Sequence, residues 1–172
     1  FNLLRVLHSK LDTDCKIILS GIIPDTVVKM DGYTLFFLHD YVDSVGFKIQ
    51  FGENNSLPFT LYGVSLETGD PGIIYHSCGV NGADIPSFLR CSLAMEQLQF
   101  LEPEMVIVSL GTNDVYSPTF DPVHFEMEYD TLITRIAKVL PFTSIVLTTP
   151  GDHALQRNLI NGKVEKAVNT II

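Results

Sequence analysis

Val45, Phe47, Ile49 and Phe51 alternate with Gly46, Lys48 and Gln50. That period of two turns one face of a strand toward a core and the other toward water. Comparable apolar runs lie on either side, at Cys15-Lys-Ile-Ile-Leu19, Tyr33-Thr-Leu-Phe-Phe-Leu38 and Phe59-Thr-Leu-Tyr-Gly-Val-Ser-Leu66. Pro24-Asp25, Asp31-Gly32, Gly52-Glu-Asn-Asn-Ser56 and Gly69-Asp-Pro-Gly72 separate them with residues suited to tight turns. Short strands at this spacing predict a small antiparallel β-sandwich, jelly-roll-like, over residues 1–71. Residues 1–11 are apolar, but the run is too short to classify.

At Gly72 the pattern changes. The chain predicts strand 72–77, helix 85–100, strand 105–110, helix 122–139, strand 143–149 and helix 162–172. Helix 122–139 is the clearest: Phe125, Tyr129, Leu132, Ile133, Ile136 and Leu140 share one face. Asp121 is a good N-cap, Pro122 suits the first helical position, and Pro141 ends the helix. Glu126, Glu128 and Asp130 lie toward the positive end of its dipole and Lys138 toward the negative end. Met105-Val-Ile-Val-Ser-Leu110 is almost wholly apolar and reads as a strand buried on both faces. Repeated strand–helix units predict an α/β part with a parallel sheet over residues 72–172.

Two polar turns close the strands of that part. Gly111-Thr-Asn-Asp114 follows strand 105–110, and His76-Ser-Cys-Gly-Val-Asn-Gly-Ala83 follows Ile73-Ile-Tyr75. Ligands of open parallel sheets bind at the carboxyl ends of strands, although Asn113 and Asp114 would also serve as simple turn caps. In this order, each on a strand end with one helix between them, the segments resemble the second and third sequence blocks of the SGNH (GDSL-like) hydrolases. They are most similar to the branch of peptidoglycan and polysaccharide O-acetyl esterases that carries a β-sandwich insert ahead of the second block. The resemblance runs over residues 58–150.

The resemblance implies an incomplete SGNH, flavodoxin-like, three-layer parallel sheet over 72–172, with 1–71 as a carbohydrate-binding-like insert. That fold has about five parallel strands, so one strand before residue 1 and one after residue 172 are expected to be missing from this piece. The implied activity is hydrolysis of O-acetyl groups on a carbohydrate or cell-wall glycan through an acyl-serine. No metal or organic cofactor is implied, and the implied location is secreted or periplasmic. Such chemistry needs a serine nucleophile, a histidine base held by an aspartate, and donors aimed at the developing oxyanion. By resemblance Gly82 supplies a backbone N–H and Asn113 an uncharged side-chain N–H. Gly79 is the rival backbone donor, and both glycines would equally serve merely to shape a strand-to-helix turn. Asn81, Asp114, Asp152 and His153 are expected on the pocket rim with Gly79.

The nucleophile and base are not visible. No Gly-Asp-Ser or Gly-x-Ser-x-Gly occurs, and Ser9, Ser20 and Ser77 lack that context. Asp121-Pro-Val-His124 has Asp-x-x-His spacing but comes straight after the third block, and helix capping accounts for Asp121. This chain alone is therefore expected to be inactive. A non-catalytic carbohydrate-binding module with vestigial hydrolase motifs is the alternative, and Tyr33, Tyr41 and Tyr62 could stack on sugar rings or simply fill the sandwich core. A phosphate binder using the 79–82 glycines is disfavoured, because no Gly-Lys-Ser/Thr follows.

Composition narrows the partners. The 172 residues carry 11 Lys+Arg against 20 Asp+Glu, a net charge of −9, which disfavours nucleic acid and anionic membranes. Mean hydropathy is +0.25, yet no apolar run is long enough for a membrane span. Cys15, Cys78 and Cys91 are odd in number and lack metal-type spacing, and they are expected to be ordinary buried thiols. The scattered histidines give no zinc pattern.

Overall fold

The computed structural model describes residues 1–53, 57–151, 154–155, 158–159 and 161–171. The chain divides into two compact units, Phe1–His76 and Ser77–Ile172. It is a mixed α/β protein with antiparallel sheets and one small parallel sheet.

The first unit is built from β1 (Leu3–His8), β2 (Lys16–Ser20), β3 (Thr26–Met30), β4 (Tyr33–Phe37), β5 (Gly46–Gln50) and β6 (Leu61–Glu67). Four strands form a sheet in the order β3-β4-β1-β6, and β2 pairs antiparallel with β5. Register places Leu4 opposite Phe36 and Leu66, and Val6 opposite Thr34 and Val64. Leu4, Val6 and Phe36 then share a core with Ile17, Leu19 and Leu38. Each such side chain contributes about 1.5–3 kcal/mol on leaving water. The short run at residues 1–11 thus supplies β1, a strand with a neighbour on each edge. All five residues of β3 are exposed, so no alternation marked it in the sequence.

His8 sits in that interior. Its Nδ1–H donates to the Ser9 carbonyl at 2.7 Å, and its Nε2 accepts from the Thr34 hydroxyl at 2.9 Å. The carbonyl can only accept, which assigns the tautomer. Burial holds the imidazole pKa below its ordinary value, so the ring is a neutral, satisfied core group.

The second unit contains α1 (Ile85–Arg90), α2 (Ala94–Phe100), β7 (Met105–Val108), α3 (Thr112–Tyr116), α4 (Pro122–Val139), β8 (Ser144–Leu147), the short antiparallel pair β9 (Ala154–Leu155) and β10 (Asn158–Leu159), and α5 (Asn161–Ile171). β7 and β8 pair in parallel, Met105 beside Ser144 through Val108 beside Leu147. Phe125, Tyr129, Leu132 and Ile136 of α4 are buried with Ile85, Val108, Val115, Val164 and Ala167. Asp121 caps α4 by accepting the Val123 N–H at 3.1 Å, and His124 lies beside Glu128 at 3.1 Å.

Several expectations need correction. No strand forms over 72–77; Ile73 is 98% and Tyr75 80% exposed. A β-branched run becomes a strand only when a neighbour pairs with it, and no described strand does so here. Helix 85–100 is two helices, because Cys91 takes an extended conformation between α1 and α2. β7 is buried on one face only: Val106 and Val108 pack inward, while Met105 and Ile107 are exposed. Cys15 is buried, but Cys78 and Cys91 are exposed, and all three are free thiols. No helix among the described residues is long and apolar enough to cross a membrane.

Candidate active site

The end of β7 is shaped by one glycine. Gly111 has φ +114° and occupies the cap position before α3. A Cβ there would lie 3.4 Å from both Phe125 Cζ and Pro150 Cγ. Only a residue without a side chain takes that backbone conformation in that space. The turn brings Thr112, Asn113 and Asp114 into the first turn of α3 directly after the strand.

The upstream loop turns back at Val80-Asn81-Gly82-Ala83, closed by the Ala83 N–H donating to the Val80 carbonyl at 3.1 Å. Gly82 has φ +80°, the conformation the third residue of a type II turn requires. Asp84 then caps α1, accepting from the Ser87 N–H at 2.9 Å and from the Ser87 hydroxyl. Those two donors hold the Asp84 carboxyl below its usual range.

Consecutive residues of α3 tie the two segments together. Asn113 Nδ2 donates to the Ala83 carbonyl at 2.7 Å. The carbonyl acceptor fixes which end of the carboxamide faces it, and leaves the second N–H of the same nitrogen directed elsewhere. Asp114 Oδ1 accepts the Ile85 N–H at 3.0 Å in a buried position. Beside these bonds is a small cavity of about 120 Å³ lined by Gly79, Val80, Ala83, Phe88, Ser109, Leu110, Gly111, Thr112 and Asn113.

The sequence-derived residues therefore take different places. Asn113 and Gly79 line the cavity. Gly82 and Asn81 are exposed on the turn that Asn113 holds through Ala83, and neither lines the cavity. Asp114, expected on the rim, is only 9% exposed and lies beneath it. Asp152 and His153 fall outside the described residues. Ser109, Thr112 and Phe88 line the cavity without having been singled out from the sequence. Ser109 and Thr112 flank the turn, and their position beside Gly111 was the available signal.

A solved structure described as a peptidoglycan O-acetylesterase in action superimposes on 98% of this chain and 48% of its own, with a TM-score of 0.69 and 16% sequence identity. The likeness is one of fold. This chain spans about half the length of that protein. No protein-family model matches the chain, and no curated protein matches its sequence significantly.

Electrostatics separate the acidic groups of the site. Burial pushes the Asp114 carboxyl above its usual range, with Asp84 and Glu128 adding to the rise and the Ile85 N–H opposing it. Tyr129 lies in the same interior, its hydroxyl directed at the Val108 carbonyl at 3.5 Å. Burial, with Asp114 nearby, pushes its pKa up to about 12. Among the described residues no three His, Cys, Asp or Glu side chains gather to hold a metal ion.

The Asp114 shift has a testable consequence. The folded protein holds this proton more tightly than the unfolded chain, whose value is about 3.9. Its favourable contribution is complete below about pH 4 and is lost as pH rises through the raised folded value. Asp114→Asn removes that part, so the wild type should lose stability relative to the variant across this window. Urea unfolding of both proteins between about pH 3.5 and 7 measures the difference; parallel pH profiles would contradict it.

Proposed function

We propose that this chain is the sandwich and central hydrolase part of an SGNH-type ester hydrolase that removes O-acetyl groups from a carbohydrate or cell-wall glycan. The observation that carries this reading is the pairing of Asn113 with the Ala83 carbonyl at the end of β7, beside a small cavity. The likeness in fold to a peptidoglycan O-acetylesterase supports it. Attack on an acetyl ester develops negative charge on the carbonyl oxygen, and neutral donors already in place stabilise it without reorienting. In this reading Asn113 gives its second Nδ2–H, and the Gly82 backbone N–H is the other donor. The Gly82 N–H makes no hydrogen bond to the described residues and lies one residue from the carbonyl that anchors Asn113. In this reading the serine nucleophile and the Asp–His pair lie outside these 172 residues, in a secreted or periplasmic protein.

Acetate release from an acetylated glycan, and from p-nitrophenyl acetate, tests the reading. The natural protein extending past both ends should turn over, and residues 1–172 alone should not. Gly82→Ala and Gly79→Ala separate the two candidate donors. A Cβ at either glycine meets nothing within 4 Å, but only Gly82 has a positive φ. Alanine at 82 strains or flips the turn at about 1–2 kcal/mol, and kcat should fall at least tenfold; alanine at 79 should leave kcat nearly unchanged. The reverse order would transfer the role to Gly79. Glycan binding without turnover in the longer protein would favour a carbohydrate-binding module instead.

A further inference from the structure

The cavity residues and the two donors account for Asn113 and the glycines, but not for the buried carboxylate beside them. We propose that Asp114 is a positioning residue for this site: by accepting the Ile85 N–H it holds the 80–85 turn in register with Asn113. The inference rests on the esterase reading for its catalytic consequence, although the clamp itself is a property of the fold.

The geometry is specific. Asn113 donates to the carbonyl of residue 83, and Asp114 accepts the N–H of residue 85. The two bonds have opposite polarity and grip the chain on either side of Asp84, itself held as the cap of α1. Sliding the turn along α3 in either direction breaks one of them. A single bond at Ala83 would leave the turn free to pivot, and with it the backbone N–H of Gly82. Ile85 is fully buried, so the clamp is anchored in the core and not in solvent.

Stability alone gives a poor account of this carboxylate. Asp114 is 91% buried, by difference from its 9% exposure, and its Oδ2 has no hydrogen-bond partner among the described residues. The groups facing it are acidic or unable to neutralise it: Asp84 at the start of α1, and Glu128 and Tyr129 on α4. A carboxylate left half-satisfied in such surroundings is expensive to bury. What it supplies is one well-placed acceptor for the Ile85 N–H, at 3.0 Å. An asparagine would supply the same acceptor, which makes the role testable.

Amide hydrogen exchange of residues 1–172 reads the clamp without relying on activity. Asp114→Ala should speed exchange at Ile85 about tenfold or more, whereas Asp114→Asn should keep it near the wild-type rate. In the longer natural protein Asp114→Ala should lower kcat on an acetyl ester by about 10–10²-fold, as misplacement of a catalytic group by about 1 Å does. KM should change less than about twofold, and Asp114→Asn should restore most of the rate. Should Asp114→Ala not fold, Ile85→Pro deletes the donor instead. Proline suits the first helical position, and Asp84 already has the extended conformation proline demands of its predecessor (ψ 176°). Exchange at the Asn113 side-chain amide then serves as the readout, and it should rise. Unchanged exchange at Ile85 in Asp114→Ala, or equal acceleration in Asp114→Asn, would overturn the clamp. A longer protein without esterase activity would sink the functional reading while leaving the exchange result to decide the clamp by itself.

Discussion

Asn113→Ala is expected to lower kcat of the natural protein on an acetyl ester by about 10²–10³-fold with little change in KM. On the esterase reading proposed above, the carboxamide does two things in this fold. One Nδ2–H anchors the upstream turn through the Ala83 carbonyl at 2.7 Å. The other is free to meet an oxygen that becomes negative only as the carbonyl carbon turns tetrahedral. An interaction that strengthens at that moment acts on kcat and not on ground-state binding. Alanine removes both bonds. Asn113→Asp keeps the shape but replaces a donor by a charge that repels both the Ala83 carbonyl and the developing oxyanion, so it should be no better than alanine. Steady-state kinetics on the purified variants measure this, and a loss under about fivefold would remove Asn113 from the chemistry.

The largest stability effect is expected at Phe125. Its side chain is 2% exposed, and its ring lies 5.6 Å from that of Phe120 and 5.5 Å from that of Tyr129. Phe125→Ala removes this packing and leaves a cavity, at a cost of about 3–5 kcal/mol. The ring also bounds the space at Gly111, so the same substitution frees the turn that presents Asn113. Urea unfolding followed through the second unit should show the midpoint fall with little change in slope. Phe125→Leu keeps most of the volume and should cost clearly less. A loss under about 1 kcal/mol for alanine would mean that the neighbouring side chains collapse into the space.

Much of the second unit was legible because its signals are local. Asp121, Pro122 and the stripe from Phe125 to Leu140 specify α4 through capping and periodicity, and the helix runs Pro122–Val139. Gly111-Thr-Asn-Asp114 marked a strand end, and a left-handed glycine followed by a short helix is what stands there. The helix over 85–100 misled because no glycine or proline marks a break at Cys91, a residue of indifferent helix propensity whose backbone turns extended. Residues 72–77 misled for a different reason. Their β-branched composition states a preference that only a paired neighbour can satisfy, and that neighbour is not specified by the segment itself.

The same division holds across the protein. Local chemistry by itself determined where α1 and α4 start and which two polar segments follow apolar runs, because capping and periodicity act over a few residues. The tertiary structure alone decided that β1 lies between β4 and β6, that Asp114 is buried while Asn113 reaches the cavity, and that Cys78 is exposed. Those outcomes depend on contacts between residues far apart in the chain, and burial and pairing are properties of the neighbours as much as of the residue.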